Sequence, residues 1–207
     1  MYKPSFERIN QGYLDTFKKF GDSAAAVQIP RDNQSVRFES VVRFLQDSDQ
    51  QVLSIADFGC GLGHLNEYLK KNFKGNFHYT GIDINQDFLD YNKSKQTEAN
   101  FLEREEFFSS PDNYDIITSV GTFNGLYEDD SLKHKEFVYS EIAELWRKTR
   151  ISLHINFMST VVDFVQVGAY HQDVGELYDF VCRNISRKLL VDSLYLPYEF
   201  SIIIWKD

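Results

Sequence analysis

Cysteine is scarce: Cys60 and Cys182 are the only two in 207 residues. Two thiols so far apart build neither a disulfide framework nor a zinc site, and both are expected as small buried apolar residues. No run approaches the roughly 20 apolar residues that span a bilayer. The start, Met1-Tyr-Lys-Pro-Ser-Phe-Glu-Arg, has charges where a signal peptide carries an apolar stretch. These absences lead to the expectation of a cytoplasmic protein with no membrane contact. Cations are also in deficit, with Lys plus Arg at 22 against Asp plus Glu at 31, a net charge of −9. Neutralising phosphates takes clustered cations, so no nucleic-acid partner is expected, although a local basic patch is not excluded. Repeats, low-complexity tracts and Pro- or Ser-rich linkers are missing as well. The reading is an N-terminal helical extension over 1–50 and one domain over 51–207.

What is abundant is aromatic. Eighteen Phe and 12 Tyr suggest a thick aromatic core or an aromatic-lined pocket, in a chain long enough to bury well over half of its unfolded surface. Periodicity organises the rest. Phe6, Ile9, Tyr13, Phe17 and Phe20 fall at helical spacing and stop at Gly21. A loop with Pro30 follows, then a second helix with Phe38, Val41, Val42 and Leu45 on one face, ending in the polar run 46–50. From Gln51 short β-rich runs alternate with amphipathic helices. The runs are Val52–Phe58, Phe77–Asp83, Asn100–Leu102, Tyr114–Val120 and Ile151–Phe157. Such βαβ units require a mostly parallel sheet covered on both faces. The ending differs: Ile185–Leu194 and Tyr198–Trp205 follow with no helix between them, so they are antiparallel neighbours. The expected fold is an α/β three-layer sandwich whose seven-stranded sheet is parallel except for one reversed strand near the C-terminus.

The strongest chemical signal is Asp57-Phe58-Gly59-Cys60-Gly61-Leu62-Gly63, a glycine loop between a strand and a helix. Such a loop turns sharply, lets a ligand approach the backbone, and places it at helix N–H groups beyond the strand ends. Asp83 ends the next strand about 20 residues later, where a carboxylate can accept from both ribose hydroxyls. A dinucleotide or an adenosyl compound fits those two features. The dinucleotide pattern G-x-G-x-x-G would need Gly at position 64, where this chain has His64. Asp57 beside the loop would repel a pyrophosphate and suits a ligand carrying an ammonium group.

With Asp57–Gly63, Gly81-Ile82-Asp83-Ile84 and Tyr114–Gly121, the sequence resembles the class I S-adenosylmethionine-dependent methyltransferases, which are Rossmann-like. The resemblance runs over 51–207 and implies S-adenosyl-L-methionine as cofactor, with S-adenosyl-L-homocysteine as product. It implies that Gly59, Cys60, Gly61 and Leu62 lie against the methionine and ribose, that Asp83 holds the ribose, and that Ile84 packs on the adenine. Asp57 would stand near the amino group, Leu102 and Glu103 at the adenine edge, and Val120 and Gly121 facing the cofactor. Gln34 and Arg37, with the ending Tyr195-Leu196-Pro197-Tyr198-Glu199-Phe200, are similar to a group of bacterial methyltransferases of presumed polysaccharide or small-molecule pathways. Leu194 stands where that group has an Asp, so any role of that carboxylate is lost.

The acceptor is narrowed by what the strand end at Ser119-Val120-Gly121-Thr122-Phe123-Asn124 lacks. It has no Asn/Asp-Pro-Pro-aromatic motif of amino-methylating enzymes, the chain has no Pro-Cys pair for C5-pyrimidine chemistry, and no acidic cluster suggests a metal. A small-molecule or carbohydrate acceptor is expected, with O-methylation favoured over N-methylation. His171 and His154 are the candidate catalytic bases. Arg37, Gln34 and Asn156 are candidates for binding the cofactor carboxylate or the substrate. His64 reads as the first turn of a helix, and His78 and His134 as surface or strand positions. The extension is expected over the cleft, with Gly12–Gly21 as a lid. Two other readings use the same residues: a non-catalytic S-adenosylmethionine-binding or interaction protein, and an NAD-dependent oxidoreductase.

Overall fold

The computed structural model describes residues 6–27, 33–45, 52–127 and 130–207. Pro30 and the polar run 46–50 lie outside them. The N-terminal segment folds as α1 (Glu7–Phe20), a 3₁₀ turn (Ala24–Val27) and α2 (Asn33–Val42). Gly21 ends α1 at φ 59°, with its N–H on the Phe17 carbonyl. The domain continues as β1 (Leu53–Phe58), α3 (His64–Asn72), β2 (Phe77–Asp83), α4 (Gln86–Lys95), β3 (Asn100–Glu103), α5 (Arg104–Ser109) and β4 (Tyr114–Val120). It closes with α6 (Ser131–Lys148), β5 (Thr149–Met158), α7 (Val174–Asn184), β6 (Leu189–Asp192) and β7 (Glu199–Trp205). Asn85, Asp130 and Asp173 cap α4, α6 and α7 by accepting backbone N–H bonds.

The strand order is β3-β2-β1-β4-β5-β7-β6. Strands β1 to β5 run parallel, and β7 lies antiparallel between β5 and β6. The reversed strand is therefore interior to the sheet, and β6, shorter than the run read from sequence, forms the edge. Central strands are buried on both faces, so β7 is mostly apolar and β4 buries Asp115, Thr118 and Ser119 beside its apolar residues. One face is packed by Phe107, Phe137, Ile142, Leu145 and Leu177 from α5, α6 and α7. The other is packed by Phe38, Leu65, Leu69 and Leu89 from α2, α3 and α4. The result is the expected Rossmann-like three-layer sandwich. Helix α5 was not read from sequence. No helix among the described residues is long and apolar enough to cross a membrane. Cys60 is buried, whereas Cys182 is only half-buried.

Strand order reverses at β1, whose neighbours β2 and β4 send their following chain to opposite sides, and this opens a crevice at the carboxyl edge. The N-terminal segment lies over it. Tyr13 and Phe17 pack edge-to-face on Phe88 with ring centroids 6.2 and 5.4 Å apart. The Asn10 carboxamide donates to the Ile84 carbonyl at 3.3 Å. Asp22 fastens the segment further, accepting from His64 Nε2 at 2.7 Å, Tyr91 Oη at 2.9 Å and Lys95 Nζ at 2.5 Å.

Candidate functional site

The glycine loop is held in place from below and from one side. The N–H groups of Gly59 and Cys60 both donate to the Ile82 carbonyl, at 2.7 and 2.9 Å. From α4, Asn92 Nδ2 donates to the Gly61 carbonyl at 2.7 Å and Gln96 Nε2 to the Gly63 carbonyl at 3.3 Å. Gly59 has φ 81°, and a Cβ there would lie 2.1 Å from Thr122 Oγ1, whose hydroxyl donates to the Phe58 carbonyl. Positive φ and crowding act together, so Gly59→Ala is expected to cost about 2–4 kcal/mol. A denaturant melt checks this; an unchanged midpoint would mean that the loop tolerates a side chain.

Asp83 closes the loop. Its Oδ2 accepts from the Gly61 N–H at 2.8 Å and its Oδ1 from the Asn85 N–H at 2.9 Å. Burial raises its pKa, and the backbone N–H bonds only partly offset that. Asp57, 3% exposed at the end of β1, accepts from Tyr79 Oη at 2.7 Å and Thr118 Oγ1 at 3.3 Å. Burial pushes its pKa up to about 7, with Asp83 adding to the rise. Among the described residues neither Asp57 nor Asp83 forms an ion pair, an arrangement suited to a ligand that brings positive charge.

Of the sequence candidates, Asp57, Gly59, Cys60, Gly61, Leu62, Asp83, Ile84, Val120, Gly121 and Gln34 all line this cleft. It holds about 1000 Å³ of atom-free space, open solvent included, and Phe6, Ile9 and Tyr13 from the N-terminal segment form part of its wall. Leu102 and Glu103 stand outside the wall, and Glu103 is exposed; the next residue, Arg104, is inside it. His64 also lines the cleft, accepting from Gln34 Nε2 through Nδ1 at 3.0 Å while Nε2 donates to Asp22.

The histidine candidates need correction. His154 is fully buried on β5, its Nδ1 donating to the Val41 carbonyl at 3.1 Å and its Nε2 accepting from Ser152 Oγ at 2.8 Å. Burial lowers its pKa to about 4, and its bond to Val41 fastens α2 to the sheet with the ring closed off from the surface. His171 lies in the loop between β5 and α7, outside the cofactor cleft wall. Its Nδ1 donates to the Ser159 carbonyl at 2.7 Å, and its Nε2 is buried without a partner. His134 is in the core, not on the surface: its Nδ1 accepts from the Tyr127 N–H, and burial lowers its pKa to about 4.

Arg37 and Asn156 meet in a polar corner beside Gly121. Arg37, 8% exposed, gives Glu199 a forked ion pair, with Nε at 2.7 Å from Oε2 and Nη2 on Oε1. Asn156 Nδ2 donates to Glu199 Oε2 at 3.0 Å and to Tyr195 Oη at 2.6 Å. Asn124 Nδ2 lies 3.4 Å from Asn156 Oδ1. A Cβ on Gly121 would sit 3.6 Å from Arg37 Nη1, which fixes this corner at the β4 end of the cleft. Sequence reasoning missed Glu199 and Tyr195 as site residues, although it had singled out their segment. It also missed Arg104 and Glu141. Among the described residues no group of three His, Cys, Asp or Glu could hold a metal ion.

Residues 56–148 match a family model described as a methyltransferase domain. No curated protein matches the chain. Among solved structures, the magnesium protoporphyrin IX methyltransferase of Synechocystis PCC 6803 with bound SAH is similar at TM-score 0.71 and 16% identity, over 97% of each chain. A TehB-like SAM-dependent methyltransferase of Corynebacterium glutamicum gives TM-score 0.59 and 14% identity, over 96% of this chain and 99% of that one. The pyocyanin biosynthetic protein PhzM gives 0.60 and 15%, over 99% and 65%. At such identities these likenesses establish the fold, while the matched family model covers the glycine loop, Asp83 and the β4 end. Over residues 56–148 the chain thus matches a methyltransferase domain, set in a fold that it shares with S-adenosylmethionine-dependent methyltransferases.

Proposed function

We propose that this domain methylates a hydroxyl group of a small-molecule or carbohydrate acceptor, and that the N-terminal helices cover the bound cofactor. S-adenosylmethionine, when bound, supplies the electrophilic methyl group. On this reading the Gly59–Leu62 backbone and Asp83 hold its methionine and ribose parts, Ile84 packs on the base, and ionised Asp57 faces the ammonium group. The cleft fits such a ligand because Asp57 and Asp83, both buried, have no ion-pair partner among the described residues.

The acceptor class rests on one observation, the pairing of Arg37 with Glu199 in the corner beside Gly121. An amine acceptor arrives as an ammonium and needs an uncompensated carboxylate. Glu199 is the carboxylate of that corner, and the guanidinium occupies both its oxygens. What is left for an acceptor is a set of neutral hydrogen-bonding groups, Asn124, Asn156 and Tyr195, which suit hydroxyls. Holding the hydroxyl at the methyl carbon supplies much of the rate.

Calorimetric titration with S-adenosylmethionine and S-adenosylhomocysteine tests the cofactor, with NAD as control. Micromolar affinity for both adenosyl compounds is expected, weakened about 100-fold or more in Asp83→Ala as two charge-assisted ribose bonds are lost. Absence of adenosyl binding would overturn the reading. With binding in hand, turnover of hydroxylated acceptors over matched amines tests the acceptor class, and turnover of amines alone would reverse it. Binding with no turnover across both pools would favour a non-catalytic protein.

A further inference from the structure

Beside Asp83 the cleft wall takes in the residue that follows β3: Glu103 is the partner of Asp83 in register and Arg104 comes next, in a stretch that no sequence motif announces. There Arg104, the first residue of α5, and Glu141, in the middle of α6, form a buried pair with side chains 11% and 4% exposed. Arg104 Nε donates to Glu141 Oε2 at 3.0 Å and Nη2 to Oε1 at 2.5 Å. The surroundings are aromatic. Phe6, Tyr127 and Phe137 pack edge-to-face with centroids 5.4–5.9 Å apart, and the Phe6 and Phe108 rings lie 5.8 and 4.8 Å from the guanidinium carbon. Burial holds Glu141 above the usual carboxylate range even with Arg104 beside it.

Removing two such charges from water is costly, and a buried pair of this kind is often replaceable by apolar residues without loss of stability. Folding alone therefore gives little reason for it to stand in a cleft wall. Each Glu141 oxygen retains a lone pair beyond the one given to Arg104, and the guanidinium retains N–H donors. Side by side they offer one acceptor and one donor at the end of an aromatic-walled slot. That is the complement of a flat heteroaromatic edge carrying an amino group next to a ring nitrogen.

Resting on the reading that the cleft holds S-adenosylmethionine, we infer that Glu141 and Arg104 read the adenine edge. Glu141 accepts from the 6-amino group and Arg104 donates to an adjacent ring nitrogen. They take the place that the family resemblance gives to Glu103, which is exposed and outside the wall. Glu141 lies 38 residues further along the chain, on a different helix.

The test is a ratio of affinities measured on the full chain by calorimetry, S-adenosylhomocysteine against S-inosylhomocysteine. In the second ligand a carbonyl oxygen replaces the amino group and would face the Glu141 carboxylate. The wild type is expected to bind it about 10- to 100-fold more weakly. In Glu141→Gln the carboxamide can donate to that oxygen, so the ratio is expected to narrow at least about threefold, while the N1–H of the inosyl ring still faces the Arg104 donors and keeps part of the preference. Because the ratio is taken within one protein, a general loss of stability does not imitate it. Arg104→Gln, expected to narrow the ratio partly, serves if the first variant fails to fold. Equal wild-type affinities, or an unchanged ratio in the variant that folds, would overturn the inference. A wild type that binds neither ligand would overturn the cofactor reading itself, a separate and visible result.

Discussion

Asparagine at position 57 is expected to stabilise the ligand-free protein while weakening its hold on the cofactor. The Asp57 carboxyl lies in a dry site between Tyr79 and Thr118, and burial raises it from an ordinary 3.8 to about 7. Between those values the folded state binds a proton that the unfolded state has released. Stability from this group is therefore complete below about pH 4 and is lost as pH rises through about 7. A rise of that size corresponds to about 4 kcal/mol at most, or a melting difference of up to about 10 °C for a chain of this length. Asparagine retains the shape and has no charge to bury, so its advantage should be large at pH 8 and nearly absent at pH 4.5. Binding runs the other way. A ligand ammonium favours ionised Asp57, so association expels a proton. Wild-type affinity for S-adenosylmethionine should rise about tenfold from pH 5.5 to 7.5, where the ligand amine is still largely protonated. In the variant affinity should fall about 10- to 100-fold and the pH slope should flatten. Melts at the two pH values and calorimetry across the range check both halves. Equal melting temperatures at pH 8 would mean that Asp57 ionises at its ordinary pH and has no such strain.

How much of this was legible in the sequence follows from the range of each interaction. Strands β2 and β4 were readable residue by residue, because short runs rich in aromatic and β-branched residues between turn residues mark strands even where polar residues interrupt them. The glycine loop and Asp83 were readable because the turn and the strand end each leave a local mark. Helix α5 was not: Arg104–Ser109 is six residues long, too short to show a helical period. Nor was the direction of a side chain at a strand end: Leu102 and Glu103 came from the family resemblance, which does not show that both stand outside the cleft wall while Arg104 lies in it. Histidines fared worst, since the sequence shows neither the Val41 carbonyl beside His154 nor the Tyr127 N–H at His134. The Arg37–Glu199 and Arg104–Glu141 pairs join residues 162 and 37 positions apart. A charged residue on an amphipathic helix ordinarily faces water. Only the folded sheet shows that Arg37 does not.

That concealed Arg37 pair carries the second large effect. Glu199→Ala is expected to destabilise the protein by about 3–5 kcal/mol, because it leaves a guanidinium buried with no counter-charge. Removing both charges together, as Arg37→Met with Glu199→Leu, is expected to return stability to within about 1–2 kcal/mol of wild type, since apolar groups of similar volume often replace a buried pair well. Stability alone would then give the pair no reason to exist. The double variant therefore isolates function. Its glycine loop, Asp57 and Asp83 are untouched, so S-adenosylhomocysteine affinity should stay within about threefold, whereas turnover of the acceptor should fall at least about tenfold. A cofactor affinity that falls in step with turnover would place Arg37 on the cofactor carboxylate and not at the acceptor. Unchanged turnover would reduce the corner to a structural clamp between α2 and β7. The two numbers, read from one stable protein, separate the three roles that the corner's geometry allows.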